Sequence, residues 1–271
     1  MNSWCVSNVT DMAYLFYSTY FNENISSWDV SSVTNMQGMF QYAYNFNGDI
    51  SGWNVSQVSD MSNMFLYASA FNGDVSGWNV SGVKNMIQMF YGASSFNGDV
   101  TQWNVSGVTN MHQMFLSASA FNGDVSGWDV SGVTNLAGMF YYASSFVGGN
   151  LSEWDVSHVS DMSYMFYGAK AFIGGNLSGW NVSGVTNMRM MFADTQVFND
   201  DISGWDISGV ADMYGMFYGA KAFNQNLCSW SGNFTYSSSS SIFASSNCTF
   251  TSDPVLETRG PFCASNDCPV L

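Results

Sequence analysis

Hydrophobic residues along the chain recur in a repeating unit that contains two apolar segments. In residues 46–71, FNGDISGWNVSQVSDMSNMFLYASAF, the first segment reads Ile50-x-x-Trp53-x-Val55 between turn residues. Apolar residues two apart between turn formers predict a short strand. The second segment places apolar residues at steps of three, three, one, three and three, which indicates one stripe of a short helix. Its members are Val58, Met61, Met64, Phe65, Ala68 and Phe71.

Tryptophan marks the repeat along nearly the whole chain. Successive tryptophans lie 24 to 26 residues apart. A fixed period of this length is typical of a solenoid, in which stacked copies of one unit bury a shared core. The tryptophans are Trp4, Trp28, Trp53, Trp78, Trp103, Trp128, Trp154, Trp180, Trp205 and Trp230.

These elements predict an α/β solenoid like that of leucine-rich repeats. It would hold one parallel sheet of about ten short strands, with short helical segments on the other side. Ten strands spaced ~4.8 Å apart would extend roughly 43 Å along the stack. Trp53 and Val55 would face the core and Asn54 would face solvent. We expect repeats over residues 1–230, then a degraded last repeat and a disulfide-rich C-terminal cap over residues 231–271.

The stretch over residues 53–72, WNVSQVSDMSNMFLYASAFN, is specific enough to resemble a known family. It resembles the BspA-like leucine-rich repeat surface proteins, whose units read F-N-x-D-[IL]-S-x-W-[DN]-V-S-x-V-T-x-M-x-x-M-F. The resemblance covers about residues 3–230. It implies secreted or surface-attached proteins used in adhesion, and it brings no catalytic residue with it.

Composition narrows the set of partners. The formal net charge is −15 with five basic residues, so the chain repels the phosphates of nucleic acids. Charged residues make up only 9% of the chain, so Ser, Asn, Gly and Thr must cover the surface, as in many extracellular proteins.

No apolar run approaches the ~18 residues of a membrane span. We therefore predict a secreted, extracellular or cell-surface protein without membrane insertion. Since MNSWCVSNVT begins within a repeat and is no signal peptide, we expect a segment upstream of it.

Four of the five cysteines lie near the C-terminus, where a solenoid needs a cap. They predict two disulfides in one of three pairings, and hence an oxidising compartment. Zinc is the alternative, but no histidine lies near and the spacing of 20, 15 and 5 does not fit a zinc ribbon. Cys5 has no partner among these four. It is a spare thiol, or it bonds to a cap upstream of the first repeat, or it forms an intermolecular disulfide. The four are Cys228, Cys248, Cys263 and Cys268.

A row of Asp and Asn follows each tryptophan and is predicted to face outward on the sheet. Such a row can contact a glycan, a peptide or a cation. The alternative is a solvated polar ladder that keeps the sheet from pairing with other chains, because a single row offers too few oxygens for calcium. The row is Asp29, Asn54, Asn79, Asn104, Asp129, Asp155, Asn181 and Asp206.

Two further polar rows are predicted to be structural, as caps and turn hydrogen bonds. One precedes the methionine of the helical segment and includes Asn35 and Asp60; the other follows the closing phenylalanine and includes Asn47 and Asn72. Tyrosines that follow the Met-Phe pair form a third set. They suit carbohydrate stacking or a protein interface, or else they shield the core. These are Tyr17, Tyr42, Tyr67, Tyr91, Tyr141, Tyr142, Tyr167 and Tyr218.

Ten Asn-x-Ser/Thr sequons invite N-glycosylation. At four of these sequons the repeat itself accounts for the asparagine, since other units have Asp at the same position. These four are Asn54, Asn79, Asn104 and Asn181. The better candidates lie in turns before strands or in the cap. These are Asn24, Asn150, Asn176, Asn233 and Asn247.

No catalytic, metal or cofactor site is predicted. His112 and His158 lie at non-equivalent positions that we expect to be exposed, and no Ser-His-Asp or Cys-His set recurs. The sequence therefore predicts a non-catalytic extracellular scaffold that binds a protein or glycan partner through a repetitive solenoid face. The alternative is a structural subunit that assembles with copies of itself through its solenoid ends.

Overall fold

The computed structural model describes residues 4–264 and Cys268, and it shows a stack of coils built from tight turns. One coil corresponds to one sequence repeat. In the coil of Trp53, five turns are closed by a backbone hydrogen bond between their fourth and first residues, and in these five turns both residues are buried. Most neighbouring core residues are therefore three apart. The pairs joined in this way are Ile50 and Trp53, Val55 and Val58, Met61 and Met64, Phe65 and Ala68, and Ala68 and Phe71.

Regular secondary structure is sparse in the described part of the chain. It consists of three 3₁₀ helices, at Leu177–Gly179, Cys228–Gly232 and Tyr236–Ser238. Isolated parallel bridges take the place of strands, and they join the same position in successive coils, from Asp11 to Asp212. No helix in this part of the chain has the length and apolarity needed to cross a membrane.

The predicted α/β class, with a parallel sheet of about ten strands, is wrong. The segment predicted as a strand forms two turns, in which Trp53 N donates to Ile50 O at 3.1 Å and Val58 N to Val55 O at 2.9 Å. The bonds between coils lie instead on the segment predicted to be helical. Amides of alternate residues over 61–67 donate to carbonyls of the next coil at 2.6–3.1 Å. We call this side of the solenoid, residues 59–67 and their equivalents, the ladder face.

Two residues in each coil prevent a helix on the ladder face. Asn63 and Tyr67 have φ angles of 58° and 55°, and their equivalents also have positive φ. A left-handed residue costs roughly 1–2 kcal/mol when it carries a side chain, and it ends any right-handed helix. It fits the third position of a type II turn, and Asn63 and Tyr67 each occupy that position.

The predicted core is confirmed. Tryptophan, methionine and phenylalanine of successive coils are buried as continuous stacks. Phe40 and Phe65 stack with ring centroids 5.6 Å apart, and Trp28 and Trp53 stack at 6.5 Å. The Trp53 indole Nε1 donates to Ile25 O at 3.2 Å, which satisfies a buried polar group. Each coil therefore depends on its neighbours for both apolar contacts and hydrogen bonds.

A disulfide-bonded segment covers the C-terminal end of the stack. The four C-terminal cysteines form two disulfides, as predicted, and the pairs are Cys228–Cys268 and Cys248–Cys263. Phe262 is fully buried and packs edge-on against Phe234 at 4.9 Å. The ladder itself continues to Ala244, where the residues from 238 to 244 accept bonds from the preceding coil.

Candidate binding surfaces

The predicted outward row after each tryptophan is exposed along its whole length. Its side chains close local turns: the Asp29 carboxylate accepts hydrogen bonds from Ser31 N at 3.1 Å and from Ser31 Oγ at 2.6 Å. Asn54 accepts from Ser56 N at 3.2 Å in the same way. In such an Asx turn, the Asn or Asp oxygen bonds the backbone amide two residues on. The row therefore stabilises the corner of each coil, and it lies on a turn rather than on a sheet.

A second row of Asx turns precedes each tryptophan. Asp49 accepts from Ser51 N at 3.0 Å and from Ser51 Oγ at 2.8 Å, and Asp99 makes the same pair of bonds with Thr101. These hydrogen bonds lower the pKa values of both carboxylates. The largest contribution comes from the backbone amide of Ser51 for Asp49 and from the hydroxyl of Thr101 for Asp99. Sequence reasoning missed this row, although Asp49-x-Ser51 has the same spacing as Asn54-x-Ser56.

The sequon candidates are all exposed, and their glycosylation stays a prediction. Asn24 and Asn150 hold Asx turns with Ser26 and Ser152. Asn176 has a φ of 59° and accepts from Ser178 Oγ at 3.2 Å. The cap candidates are Asn233 and Asn247.

The two remaining polar rows are structural, as predicted. Asn47 Oδ1 accepts from the backbone amide of Asn72 in the next coil at 2.8 Å, and this bond recurs along the stack. Asp60 Oδ1 accepts from Ser62 N at 2.8 Å, in an Asx turn rather than in the predicted helix cap. Both rows are therefore part of the framework.

The tyrosines on the ladder face occupy two adjacent positions of the coil. Tyr17 and Tyr91 directly follow the core phenylalanine, whereas Tyr42 and Tyr67 follow one residue later, at the second left-handed position. Ring centroids lie 5.7 Å apart between Tyr17 and Tyr42, 5.5 Å between Tyr42 and Tyr67, and 5.0 Å between Tyr67 and Tyr91. The four rings thus form a continuous line across successive coils.

A broad groove of about 1030 Å³ follows this line of rings. We call it the tyrosine–glutamine groove. Amides lie beside the rings, where Gln88 Nε2 donates to Gln113 Oε1 at 2.6 Å. Asn63 Oδ1 is buried there and has no hydrogen-bond partner among the described residues. The lining residues are Tyr14, Tyr17, Gln41, Tyr42, Asn63, Leu66, Tyr67, Gln88, Tyr91 and Gln113.

A smaller cavity of about 530 Å³ continues from the groove and shares Tyr91 and Gln113 with it. Its lining includes His112 and Asp161. His112 is half-buried rather than exposed as expected, and burial lowers its pKa, which favours the neutral imidazole. His158 is exposed. The smaller cavity thus contains a carboxylate, whereas all ten residues that line the tyrosine–glutamine groove are neutral.

Cys5 is exposed and its thiol is free, at the coil position where other units have Asp or Asn. Within residues 4–264 and Cys268, no three His, Cys, Asp or Glu side chains lie close enough together to hold a metal ion. The candidate surfaces for contact are the tyrosine–glutamine groove and the two rows of Asx turns beside each tryptophan, which we call the acidic turn rows.

Stacked coils, recurrent ladders and a terminal cap define a tandem-repeat solenoid. The chain belongs to the family described as "Mycoplasma protein of unknown function, DUF285", which matches it three times in succession, over residues 1–91, 73–172 and 146–253. No curated protein matches the chain. The family description assigns no activity, so a functional hypothesis has to come from the surfaces.

Proposed function

We propose that this protein is a non-catalytic extracellular scaffold that binds a partner through one repetitive face of its solenoid. The observation that carries the proposal is the tyrosine–glutamine groove, because rings and amides line up across coils that are fixed to each other. Solenoids commonly use extended surfaces of this kind for binding. The acidic turn rows are less suited to contact, since Asp29 and its equivalents already hold their own turns.

The extracellular location rests on three independent features. Two disulfides form readily outside the cytosol and rarely within it. The surface is covered by Ser, Asn, Gly and Thr, with few charges. The repeat motif resembles that of the BspA-like surface proteins, which places adhesion among the expected roles.

Self-assembly through the solenoid ends is the alternative, and the C-terminal cap argues against it. The cap residue Asp253 accepts a hydrogen bond from Ile242 N in the last coil at 3.2 Å. Phe250 N and Cys263 O are joined at 2.9 Å across the same end. Because these contacts occupy the end of the stack, another copy cannot extend the ladder there without displacing the cap.

The proposal is tested on the producing cells and on the purified protein. Antibody labelling of intact cells should equal that of permeabilised cells. Fluorescently labelled protein should bind cells or extracellular matrix saturably, with competition by unlabelled protein. Labelling that needs permeabilisation, or the lack of any saturable binding, would overturn the proposal.

A further inference from the structure

We infer that the tyrosine–glutamine groove binds an uncharged polysaccharide chain that runs along the solenoid axis. This inference rests on the proposed function and names the ligand class for that surface. Three observations lead to it: the charge of the groove, the residues that line it, and their spacing.

The groove is uncharged on a strongly acidic protein. The chain has 20 acidic residues and a net charge of −15, yet all ten residues that line the groove are neutral. Binding of a cationic ligand would be served by carboxylates, and binding of an anionic one by Lys or Arg. A surface without either selects by shape, ring contact and neutral hydrogen bonds.

The lining residues combine aromatic rings with amides. Tyr17 and Tyr67 are 48% and 38% exposed, so they present aromatic surface to a ligand. Gln88 and Gln113 offer donors and acceptors beside the rings. Sugar rings have both apolar C–H faces and hydroxyl edges, and this combination of side chains fits both.

Two of the tyrosines occupy positions that glycine would fill without strain. Tyr42 and Tyr67 have positive φ, which is uncommon for a bulky residue. Later coils have Gly92 and Gly168 at the equivalent position. A Cβ on Gly92 would lie 2.5 Å from the Tyr67 ring, so the ring lies directly over the next coil. The left-handed conformation recurs at this position of the coils, and at Tyr42 and Tyr67 it places aromatic rings along the groove.

The spacing favours a polysaccharide over an extended peptide. Neighbouring rings in the line are 5.0–5.7 Å apart, one per coil. A peptide strand rises ~3.3 Å per residue, so the side chains on one of its faces lie ~6.6 Å apart and fall out of step with the rings. A pyranose unit in an extended glycan advances by about the distance between neighbouring rings, so each consecutive sugar meets one tyrosine.

The test is affinity electrophoresis of the intact purified protein in native gels that contain one polysaccharide each. The neutral probes are cellulose derivatives without charge, mannan, β-1,3-glucan and amylose; the anionic probes are alginate and hyaluronan. We expect retardation by at least one neutral probe, and a loss of affinity of about tenfold or more in Tyr67→Gly. Gln88→Ala is a second groove variant; Gln88 is also left-handed, with a φ of 54°, and alanine keeps a Cβ at that position.

Tyr142→Gly is the matched control. Tyr142 has the same left-handed conformation and is 42% exposed, but it lines neither the groove nor the smaller cavity. We expect its affinity to stay within twofold of wild type. Circular dichroism and thermal melting would verify that the two glycine variants and Gln88→Ala are folded.

Three results would overturn the inference: no retardation by any neutral probe, retardation that Tyr67→Gly and Gln88→Ala leave unchanged, or preference for the anionic probes. Binding to cells that depends on Tyr67 without any glycan binding would preserve the proposed function and remove only the ligand class. Glycan binding without any binding to cells or matrix would preserve the ligand class and contradict the proposed function.

Discussion

At the scale of single residues, the buried tryptophan shows how one side chain joins two coils. Trp103 is 3% exposed, stacks on Trp78 at 6.5 Å, and its Nε1 donates to Val75 O at 3.0 Å. Replacement by phenylalanine keeps an aromatic ring but removes the indole hydrogen bond, while Val75 O still accepts from Trp78 N at 3.1 Å. A typical hydrogen bond contributes about 0.5–1.5 kcal/mol to stability.

We therefore expect Trp103→Phe to lower the free energy of unfolding by about 0.5–1.5 kcal/mol through the lost hydrogen bond, with a further contribution from the smaller ring. Chemical denaturation followed by circular dichroism measures the change. Trp4→Phe is the control, because Trp4 is half-exposed. Equal effects of the two substitutions would show that the indole hydrogen bond contributes little.

Also at the residue scale, the Asx carboxylates link stability to pH. Hydrogen bonds from Thr101, with the hydroxyl contributing most, lower the pKa of Asp99 below the ordinary Asp value of about 3.9. The ionised form is thus favoured in the folded chain. Its contribution to stability is complete above the ordinary pKa and disappears as the pH falls through the lowered value. The same direction holds for Asp29, Asp49 and Asp74.

Asp99→Asn separates this effect from the overall charge of the protein. Asn24 and Asn150 hold the equivalent turn, so asparagine should preserve it, but asparagine does not titrate. We expect wild type to lose thermal stability relative to Asp99→Asn as the pH is lowered from 5 to 2. Melting temperatures measured across that range test this, and parallel curves for the two proteins would contradict it.

At the scale of the coil, glycines at two positions are expected to respond oppositely to alanine. Gly148 has a φ of 105°, and a Cβ there would lie 2.5 Å from Gly174 O of the next coil. Gly127 has open space around its Cβ position, and Gln102 and Glu153 occupy the equivalent position in other coils. The two glycines thus differ both in backbone conformation and in the space between a Cβ atom and the next coil.

We expect Gly148→Ala to destabilise the fold by more than about 1 kcal/mol, because the native conformation is incompatible with alanine. Gly127→Ala should be neutral or stabilise by up to about 1 kcal/mol, because it restricts the unfolded chain. Thermal melting of the two variants in one buffer measures both. A loss of stability in Gly127→Ala as large as in Gly148→Ala would contradict the assignment.

The elements of the coil also show what the sequence could and could not predict. The period, the core residues and the row of asparagines after the closing phenylalanine could be predicted from the spacing of residues in the sequence, because the pattern of burial repeats once per coil. The helix over 58–71 was wrong because turns with buried first and fourth residues give steps of three, which resemble a helical stripe. Spacing alone could not separate the two, because Met61 and Phe65 also supply the step of four that an α-helix with 3.6 residues per turn requires.

The candidate site was predictable only in part. The tyrosines could be selected from the sequence, since they follow the Met-Phe pair. The groove could not, because it depends on which neighbouring coil supplies Gln88, Gln113 or Gly92 beside each ring. The tyrosines at 42 and 67 do not indicate left-handed backbone themselves; the signal that could have found it is Gly92 and Gly168 at the equivalent position of later coils.

At the scale of the whole molecule, stability is carried by contacts between neighbouring coils. In the coil of Trp53, backbone bonds, the Trp53 indole and the Asn72–Asn47 bond all join adjacent coils. The stability of such a stack is approximately a sum of unit and nearest-neighbour contributions. Damage at one end should therefore remain near that end, while the tyrosine–glutamine groove over the first coils stays intact.

Removal of the Cys248–Cys263 disulfide tests this view of the stack. The bond closes a segment of sequence separation 15 at the last coil, and a loop of that length corresponds to about 3 kcal/mol. In Cys248→Ala/Cys263→Ala we expect hydrogen exchange over residues 238–264 to accelerate by roughly 100-fold, since each 1.4 kcal/mol is a factor of ten. Amides near Phe115 should be unchanged, and Cys5→Ala should leave both regions unchanged. If exchange accelerated equally in every coil, the solenoid would unfold as one cooperative unit and the nearest-neighbour description would fail.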